Sequence, residues 1–150
     1  ATYQYYETIC GGAGATRNRD GVDAVHTHMT NSRLTDPEVL EWRFPVRLES
    51  FRLRTDSGGR GRFKGGDGVI RELRFLAPMT ASILAGHRRV PPYGMAGGEP
   101  GKRGRNYVRH ADGKVTLLEH CGRIEVVAGD LFVVETPGGG GFGKVESSQQ

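Results

Sequence analysis

The sequence predicts a mainly β protein, a β-sandwich or β-roll with one short helix, for three reasons. Glycine accounts for 24 of the 150 residues, roughly twice its usual share, without the Gly-X-Y period of collagen. These glycines fall in clusters between short apolar stretches, a pattern typical of tight turns that join short strands. The hydrophobic content of 36% is low for a free-standing domain, so we expect a segment of a larger protein that packs against the remainder.

Two extended segments are predicted near the N-terminus. Residues 1–10 are rich in β-forming side chains, which predicts a strand that ends at the glycine cluster 11–14. Residues 15–24 are polar, and residues 25–31 predict a second extended segment.

The one predicted helix follows these segments. Thr35 and Glu38 have the spacing of a capping box, and Pro37 suits the first helical turn. Pro45 should end the helix, which leaves about two turns, too few to be stable without tertiary packing. The apolar face of this helix would consist of Val39, Leu40 and Trp42.

Beyond Pro45 the apolar residues recur with a period of two, which predicts successive strands. A change of phase predicts a β-bulge near Ser50. Asp112-Gly113 predicts a two-residue hairpin, and residues 128–130 predict another turn. The predicted strands are 46–48, 51–53, 69–76, 80–85, 106–110, 114–119, 123–127 and 131–135. Residues 1–143 are predicted to form one unit, and residues 144–150 a flexible tail.

Charge and composition exclude several classes of protein. The net charge is +4, from 21 Lys and Arg against 17 Asp and Glu. Arginines alternate along the predicted strands, which favours a solvated face, with recognition of phosphate or carboxylate as the alternative. The charge has no accompanying aromatic motif, so nucleic-acid binding is not expected. No apolar run reaches transmembrane length and no signal peptide is evident, so a cytoplasmic protein without a membrane partner is predicted. Two distant cysteines predict free thiols, although a disulfide stays open.

The segment 26–33 holds the first candidate site residues. His26 and His28 are two positions apart, so on a strand both imidazoles would lie on one face and share a metal or a buried polar seam. Two ligands do not complete a metal site. Asn31 and Arg33 precede the helix, where anion or amide recognition is the functional interpretation and ordinary loop bracing is the alternative.

Glycine-rich loops supply the second group of candidates. Residues 57–68 combine glycines with Arg60 and Arg62, which resembles a phosphate cradle, but they lack the ending of a P-loop. A structural hairpin with positive-φ turns or a subunit contact would explain the same pattern. Residues 136–143 contain four consecutive glycines, which indicates close approach of the backbone to a ligand or chain segment, or else a flexible linker. The tip 87–89 (His-Arg-Arg) suits a carboxylate, a partner subunit or plain solvation.

Six of these motifs, in this order, resemble the C-terminal end of the hydantoinase B family, and most closely its ATP-hydrolysing 5-oxoprolinases. Individually several of the motifs are weak, but together they span residues 5–143. The matching segments are 6–14, 26–31, 35–41, 58–68, 92–98 and 136–143.

The resemblance implies that the chain is part of a larger enzyme and is inactive alone. In this family a hydantoinase A-like ATPase part phosphorylates a substrate amide, and the hydantoinase B part then admits water. The 5-oxoprolinase reaction opens 5-oxo-L-proline to L-glutamate in glutathione turnover. The implied partners are the remainder of the B region, the ATPase part and a small lactam. ATP and a divalent metal are implied for the full enzyme, with no metal ligand in this chain.

Together, the residue pattern and the resemblance lead to a hypothesis about residue roles. His26 and His28 would position water or the activated intermediate, Asn31 would bind the lactam carbonyl, and Arg33 a carboxylate or phosphate. A second set would bind phosphate or form loops: Arg60, Arg62, Gly138, Gly139 and Gly140. Alternatives are a segment of an N-methylhydantoinase or of a related ATP-dependent carboxylase, or a non-catalytic assembly or binding module.

Overall fold

The computed structural model describes residues 2–27 and 30–145. Over these residues the protein is mainly β with one short helix, which confirms the predicted class. The elements in chain order are α1 (Pro37–Arg43), β1 (Val46–Arg54), β2 (Gly68–Phe75), β3 (Met79–Leu84), β4 (Arg105–Arg109), β5 (Val115–Leu118), β6 (Cys121–Val126) and β7 (Leu131–Glu135).

The strands form two antiparallel sheets. The larger has the order β1-β2-β7-β4-β5, and the smaller consists of β3 and β6. The predicted bulge is confirmed, because the β1–β2 register shifts between Leu48 and Ser50. The Asp112-Gly113 hairpin joins β4 to β5, with Gly113 at φ 87°, a conformation that favours glycine.

The prediction of a strand over residues 1–10 was wrong for the described part, residues 2–10. The nearest ladder contact is an isolated bridge between Gly11 and Val25. Side chains hold the segment instead, because the rings of Tyr3 and Tyr5 lie 5.7 and 5.1 Å from that of Phe44. Aromatic content predicted extended backbone, but it could not reveal whether a partner strand exists.

The helix begins one residue later than predicted. Asp36, not Thr35, is the N-cap, and its carboxylate accepts the amide of Glu38 at 2.9 Å. Pro37 occupies the first turn as expected. The helix ends at Arg43, before Pro45, which confirms the predicted stop.

One apolar cluster joins the two sheets and the helix. Its buried members are Leu40, Val46, Phe75, Val108 and Val126. A second cluster of Tyr107, Leu131 and Val133 lies elsewhere in the larger sheet. The thiols of Cys10 (buried) and Cys121 (exposed) are both free, as expected. No helix in the described residues is long and apolar enough to span a membrane.

The predicted solvated face of arginines was wrong at Arg71, which is only 2% exposed. Its Nε and Nη2 atoms donate to the two carboxylate oxygens of Glu7 at 2.7 and 2.9 Å. The Tyr5 hydroxyl donates to the same carboxylate at 2.6 Å, and burial followed by this hydrogen bond raises the pKa of Tyr5. The Arg71–Glu7 pair therefore anchors the N-terminal segment to β2.

Glycine segments from five parts of the chain pack backbone against backbone. We call this the glycine bundle, formed by residues 11–14, 57–59, 65–66, 93–98 and 138–141. A Cβ atom on any of the glycines 138–141 would overlap a backbone carbonyl, and these carbonyls come from three neighbouring segments: that of Ala13, that of Tyr93 and the loop of Ser57 and Arg60. The bundle can therefore form only from residues without side chains at these positions.

Candidate functional site

His26 follows the bridge residue Val25, whose amide donates to the Gly11 carbonyl at 2.9 Å. The Nδ1 atom of His26 is buried and has no hydrogen-bond partner among the described residues. His28 lies outside the described residues, so the shared face of the two imidazoles stays a prediction. Within the described part of the chain, no group of three or more His, Cys, Asp or Glu residues is placed to hold a metal ion.

Asn31 and Arg33 are both exposed and lie in the loop that leads to α1. The N-terminus of α1 does not supply the anion site that was one interpretation of this segment. The carboxylate of Asp36 already occupies the position in front of the first-turn amides, where an external anion would bind. These two side chains are therefore accessible to a ligand but are not assembled with each other through direct hydrogen bonds in the structure.

The four consecutive glycines contact neighbouring chain segments, which was one of the alternatives for this motif. The amides of Gly138, Gly139 and Gly141 donate to carbonyls of Lys102, Gly66 and Glu99 at 3.3, 2.8 and 2.9 Å. A phosphate bound by backbone amides would need these same donors. The contacts explain the glycines as packing elements and give no support to the phosphate interpretation.

Arg60 and Arg62 project from the outside of the glycine bundle. The Arg60 side chain is 82% exposed and lies 3.6 Å from the Glu99 carboxylate, and Arg62 lies over the ring of Phe63. The glycines of this loop have no positive φ in the described residues, so the predicted positive-φ hairpin was wrong. Close packing between backbones, not turn conformation, accounts for these glycines.

Asp67 organises the same loop from inside. Its carboxylate accepts the Gly58 amide at 2.8 Å and the Asp56 amide at 3.3 Å, and Lys64 Nζ lies 3.4 Å away. Burial alone would raise the pKa of Asp67, but these hydrogen bonds and the Lys64 charge more than offset it and hold the pKa below its usual value. Asp67 is therefore a structural carboxylate.

A concave surface lies beside the glycine run, since its lining residues Arg54 and Lys102 hydrogen-bond to the backbone of Thr136 and Gly138. Two adjoining cavities of about 540 and 480 Å³ share Arg88, Arg103, Gly104 and Arg105, and we call them together the arginine cleft. The remaining lining residues are Arg54, Arg89, Lys102, Leu117, Leu118, Glu119, His120 and Glu135.

Only Arg88 and Arg89 of this cleft were identified from the sequence, as a basic tip. Arg54 lies on β1 and Arg105 on β4, two strands that are separated in the larger sheet by β2 and β7. The carboxylate of Glu135 lies between them, 3.4 Å from Arg54 and 3.1 Å from Arg105. Burial lowers the pKa of Arg88 to about 10, and the neighbouring charge of Arg54 acts in the same direction.

A group of threonine, histidine and aspartate side chains in contact with one another was also not predicted from the sequence. Nε2 of His110 lies 2.8 Å from the Thr116 hydroxyl, and Nδ1 lies 3.2 Å from the Asp130 carboxylate. Asp130 is buried and also accepts the Val127 amide. These residues line neither cavity of the arginine cleft, and they join the β4–β5 hairpin to the turn before β7.

Comparison with known proteins identifies the family. The sequence model described as Hydantoinase B/oxoprolinase matches residues 1–145. The chain is 47% identical to 5-oxoprolinase of Dictyostelium discoideum, over 97% of the chain and 12% of that protein. It is 48% identical to 5-oxoprolinase 1 of Arabidopsis thaliana, over 95% of the chain and 11% of that protein.

A solved structure agrees with these sequence matches. The chain resembles the ATP-dependent caprolactamase from Pseudomonas jessenii with a TM-score of 0.75 and 26% identity, over 91% of the chain and 25% of that structure. The chain thus spans 11–12% of the length of the two 5-oxoprolinases and corresponds to a segment of each relative. Since the family's sequence model covers nearly all of it, the chain belongs to the hydantoinase B/oxoprolinase family.

Proposed function

We propose that the chain is the C-terminal part of an ATP-dependent amidohydrolase that opens 5-oxo-L-proline to L-glutamate, a step of glutathione turnover. The observation that carries this proposal is 47% and 48% identity to two 5-oxoprolinases over nearly the whole chain. The ATP-dependent caprolactamase supports the same chemistry, since caprolactam is a cyclic amide.

Coupling to ATP has a chemical reason. A five-membered lactam is a poor electrophile, because amide resonance delocalises the nitrogen lone pair into the carbonyl. Transfer of a phosphoryl group to the lactam oxygen creates a good leaving group, and water can then attack the activated carbon. Cleavage of the C–N bond in this adduct leaves the γ-acyl phosphate of glutamate, and a second water hydrolyses that acyl phosphate, so the products are glutamate, inorganic phosphate and the ADP formed in the first step.

We propose that the chain forms one part of this enzyme and acts together with two partners, the ATPase part and the remainder of the hydantoinase B region. Residues 2–27 and 30–145 do not fit a divalent metal, because no suitable group of ligands is assembled there. The metal and ATP of the full enzyme are therefore proposed to be bound mainly by the partner regions. The cytoplasmic location stays a prediction.

Within this chain, we propose that His26, His28, Asn31 and Arg33 face the substrate. The buried Nδ1 of His26 supports this proposal, because a buried polar atom without a partner is costly and a group outside the described residues would satisfy it. The exposure of Asn31 and Arg33 leaves both side chains free to reach a ligand. His26 would position water or the intermediate, and Arg33 would bind a carboxylate or phosphate.

The substrate is tested by the steady-state rate of ATP hydrolysis in the assembled enzyme with 5-oxoproline, ε-caprolactam, N-methylhydantoin or acetone. We expect 5-oxoproline to stimulate hydrolysis most. Stimulation by N-methylhydantoin or acetone alone would place the chain in one of the other branches of the family and contradict the 5-oxoproline assignment.

The site assignment is tested separately by substituting Arg33→Ala. We expect kcat/KM for 5-oxoproline to fall by at least about tenfold, mainly through KM if Arg33 binds the substrate carboxylate. The matched control is Arg123→Ala, whose side chain is 74% exposed on β6. An Arg33→Ala enzyme with wild-type kcat/KM would refute the role of Arg33.

A non-catalytic assembly role is the second candidate, favoured by exposed apolar side chains. Tyr6, Trp42 and Leu84 are 87%, 86% and 86% exposed, and large apolar residues in such positions are typical of contact surfaces. A chain that binds the partner regions but whose Arg33 and His26 variants keep full activity would favour this alternative.

A further inference from the structure

The arginine cleft carries more positive charge than its own carboxylates neutralise. Its lining contains six Lys and Arg side chains and two Glu side chains. The excess of four positive charges equals the formal net charge of the entire chain, +4. Net charge concentrated on one concave surface raises the local concentration of anions.

Arg88 is held in this cleft by acceptors that carry no charge. Its Nε and Nη2 atoms donate to Oδ1 of Asn106 at 3.1 and 2.9 Å, and Nη1 donates to the Gly86 carbonyl at 2.8 Å. Asn106 is fully buried and is fixed by its own bond to the Glu119 carbonyl at 3.3 Å. A guanidinium has five N–H groups, so Arg88 keeps donors for a further acceptor.

Gly104 makes room for this arrangement. A Cβ atom at position 104 would overlap Nη1 of Arg88 and lie 2.6 Å from its Cζ. The Gly104 amide also donates to the His87 carbonyl at 2.9 Å, which fixes the loop that carries Arg88. Backbone contacts at Gly86, His87 and Gly104 therefore fix the position of the Arg88 guanidinium.

The other arginines of the cleft also have fewer carboxylate counter-ions than positive charges. Arg54 and Arg105 share the single carboxylate of Glu135, so two guanidinium groups have one counter-ion. Among the residues that the structure describes, Arg103 donates to a single backbone carbonyl, that of Arg89, at 3.3 Å. In the described residues, the charges of Arg88 and Arg103 thus have no carboxylate partner within ion-pair distance. Arg88 is half-buried, and a partly desolvated cation without a counter-ion is stabilised when an anion binds.

We propose that the arginine cleft binds a phosphate-bearing small molecule. Guanidinium groups donate pairs of hydrogen bonds that match the oxygens of phosphate, and Arg88, Arg103 and Arg105 converge on the shared part of the cleft. Leu117, which lines the cleft and is largely exposed, offers an apolar contact for the organic part of the ligand. A cavity of about 540 Å³ lies within the range of small-molecule sites. The proposal does not depend on the reaction assigned above.

Calorimetric titration of the full-length protein with sodium pyrophosphate tests the site, and sodium malonate tests whether a dicarboxylate suffices. We expect saturable pyrophosphate binding and much weaker malonate binding. The Arg103→Gln/Arg105→Gln double variant should bind pyrophosphate at least about tenfold more weakly. Both side chains are exposed, so folding should be unaffected, which a thermal melt verifies.

Two further variants distinguish pyrophosphate binding at a specific site from binding by the positive charge of the surface in general. Gly104→Ala removes no charge but displaces the Arg88 guanidinium, and we expect it to weaken pyrophosphate binding by at least about fivefold. Arg109→Gln lies on the same strand, β4, outside the cleft, and should change affinity by less than about twofold. Absence of saturable binding, equal losses in Arg109→Gln, or malonate affinity equal to that of pyrophosphate would each overturn the proposal.

Discussion

At the scale of single residues, the Arg71–Glu7 pair ties the N-terminal segment to the sheet. Arg71 is buried, its guanidinium donates twice to Glu7, and its charge lies 5.6 Å from the Phe51 ring centroid. A buried charge that loses its partner destabilises a fold far more than an exposed one does, because it is left unpaired in a poorly solvated environment.

Substituting Glu7→Gln should therefore lower the free energy of unfolding by about 3 kcal/mol, measured by urea denaturation. The control is Glu49→Gln, whose partner Arg74 is on the same strand but 37% exposed, and it should cost less than about 1 kcal/mol. Equal losses in the two variants would contradict the anchoring role of Glu7.

The lowered pKa of Asp67 predicts how the stability of the fold depends on pH. Its pKa is lowered in the folded state, so the unfolded state binds a proton more readily. The carboxylate therefore stabilises the fold at neutral pH, and this contribution is lost as the pH falls below about 4 and through the lowered pKa.

The free energy of unfolding of Asp67→Asn should be lower by about 1–3 kcal/mol at pH 7 and should depend less on pH between 5 and 3. Asp112→Asn is a suitable control, because Asn-Gly supports the same hairpin turn as Asp-Gly. Parallel pH profiles for wild type and Asp67→Asn would show that Asp67 is not the acid-sensitive group.

At the scale of elements, the glycine bundle is the feature with the strictest sequence requirement. A Cβ atom on Gly139 would overlap the Ala13 carbonyl, whereas a Cβ on Gly14, in the same bundle, would meet its nearest atom at 3.9 Å. Gly139→Ala should lower the free energy of unfolding by at least about 3 kcal/mol, and Gly14→Ala should change it by less than about 1 kcal/mol. Similar urea midpoints for the two variants would contradict backbone-to-backbone packing.

Some strands could be predicted from their own sequence, whereas other segments depend on partners elsewhere in the chain. The alternation that predicted residues 69–76 and 131–135 corresponds to β2 and β7, because each strand has a buried face. Residues 2–10 have similar composition but no partner strand, and a partner is a property of the whole fold. The arginine cleft brings together residues from Arg54 to Glu135, and the glycine bundle brings together residues from Gly11 to Gly141. Local sequence patterns therefore identified parts of both features without their arrangement in space.

At the scale of the whole molecule, the chain corresponds to 11–12% of the two 5-oxoprolinases it resembles. Trp42 and Leu84 are exposed, Nδ1 of His26 is buried without a hydrogen-bond partner among the described residues, and the arginine cleft carries excess positive charge. These features indicate surfaces that contact a ligand or another part of a larger protein.

The most direct test is the glutamate produced from 5-oxoproline by the partner regions with ATP, measured with and without this chain. We predict glutamate and ADP in a one-to-one ratio when the chain is present, and a loss of glutamate when it is omitted. Undiminished glutamate formation without the chain would contradict the proposal that this segment belongs to the catalytic unit.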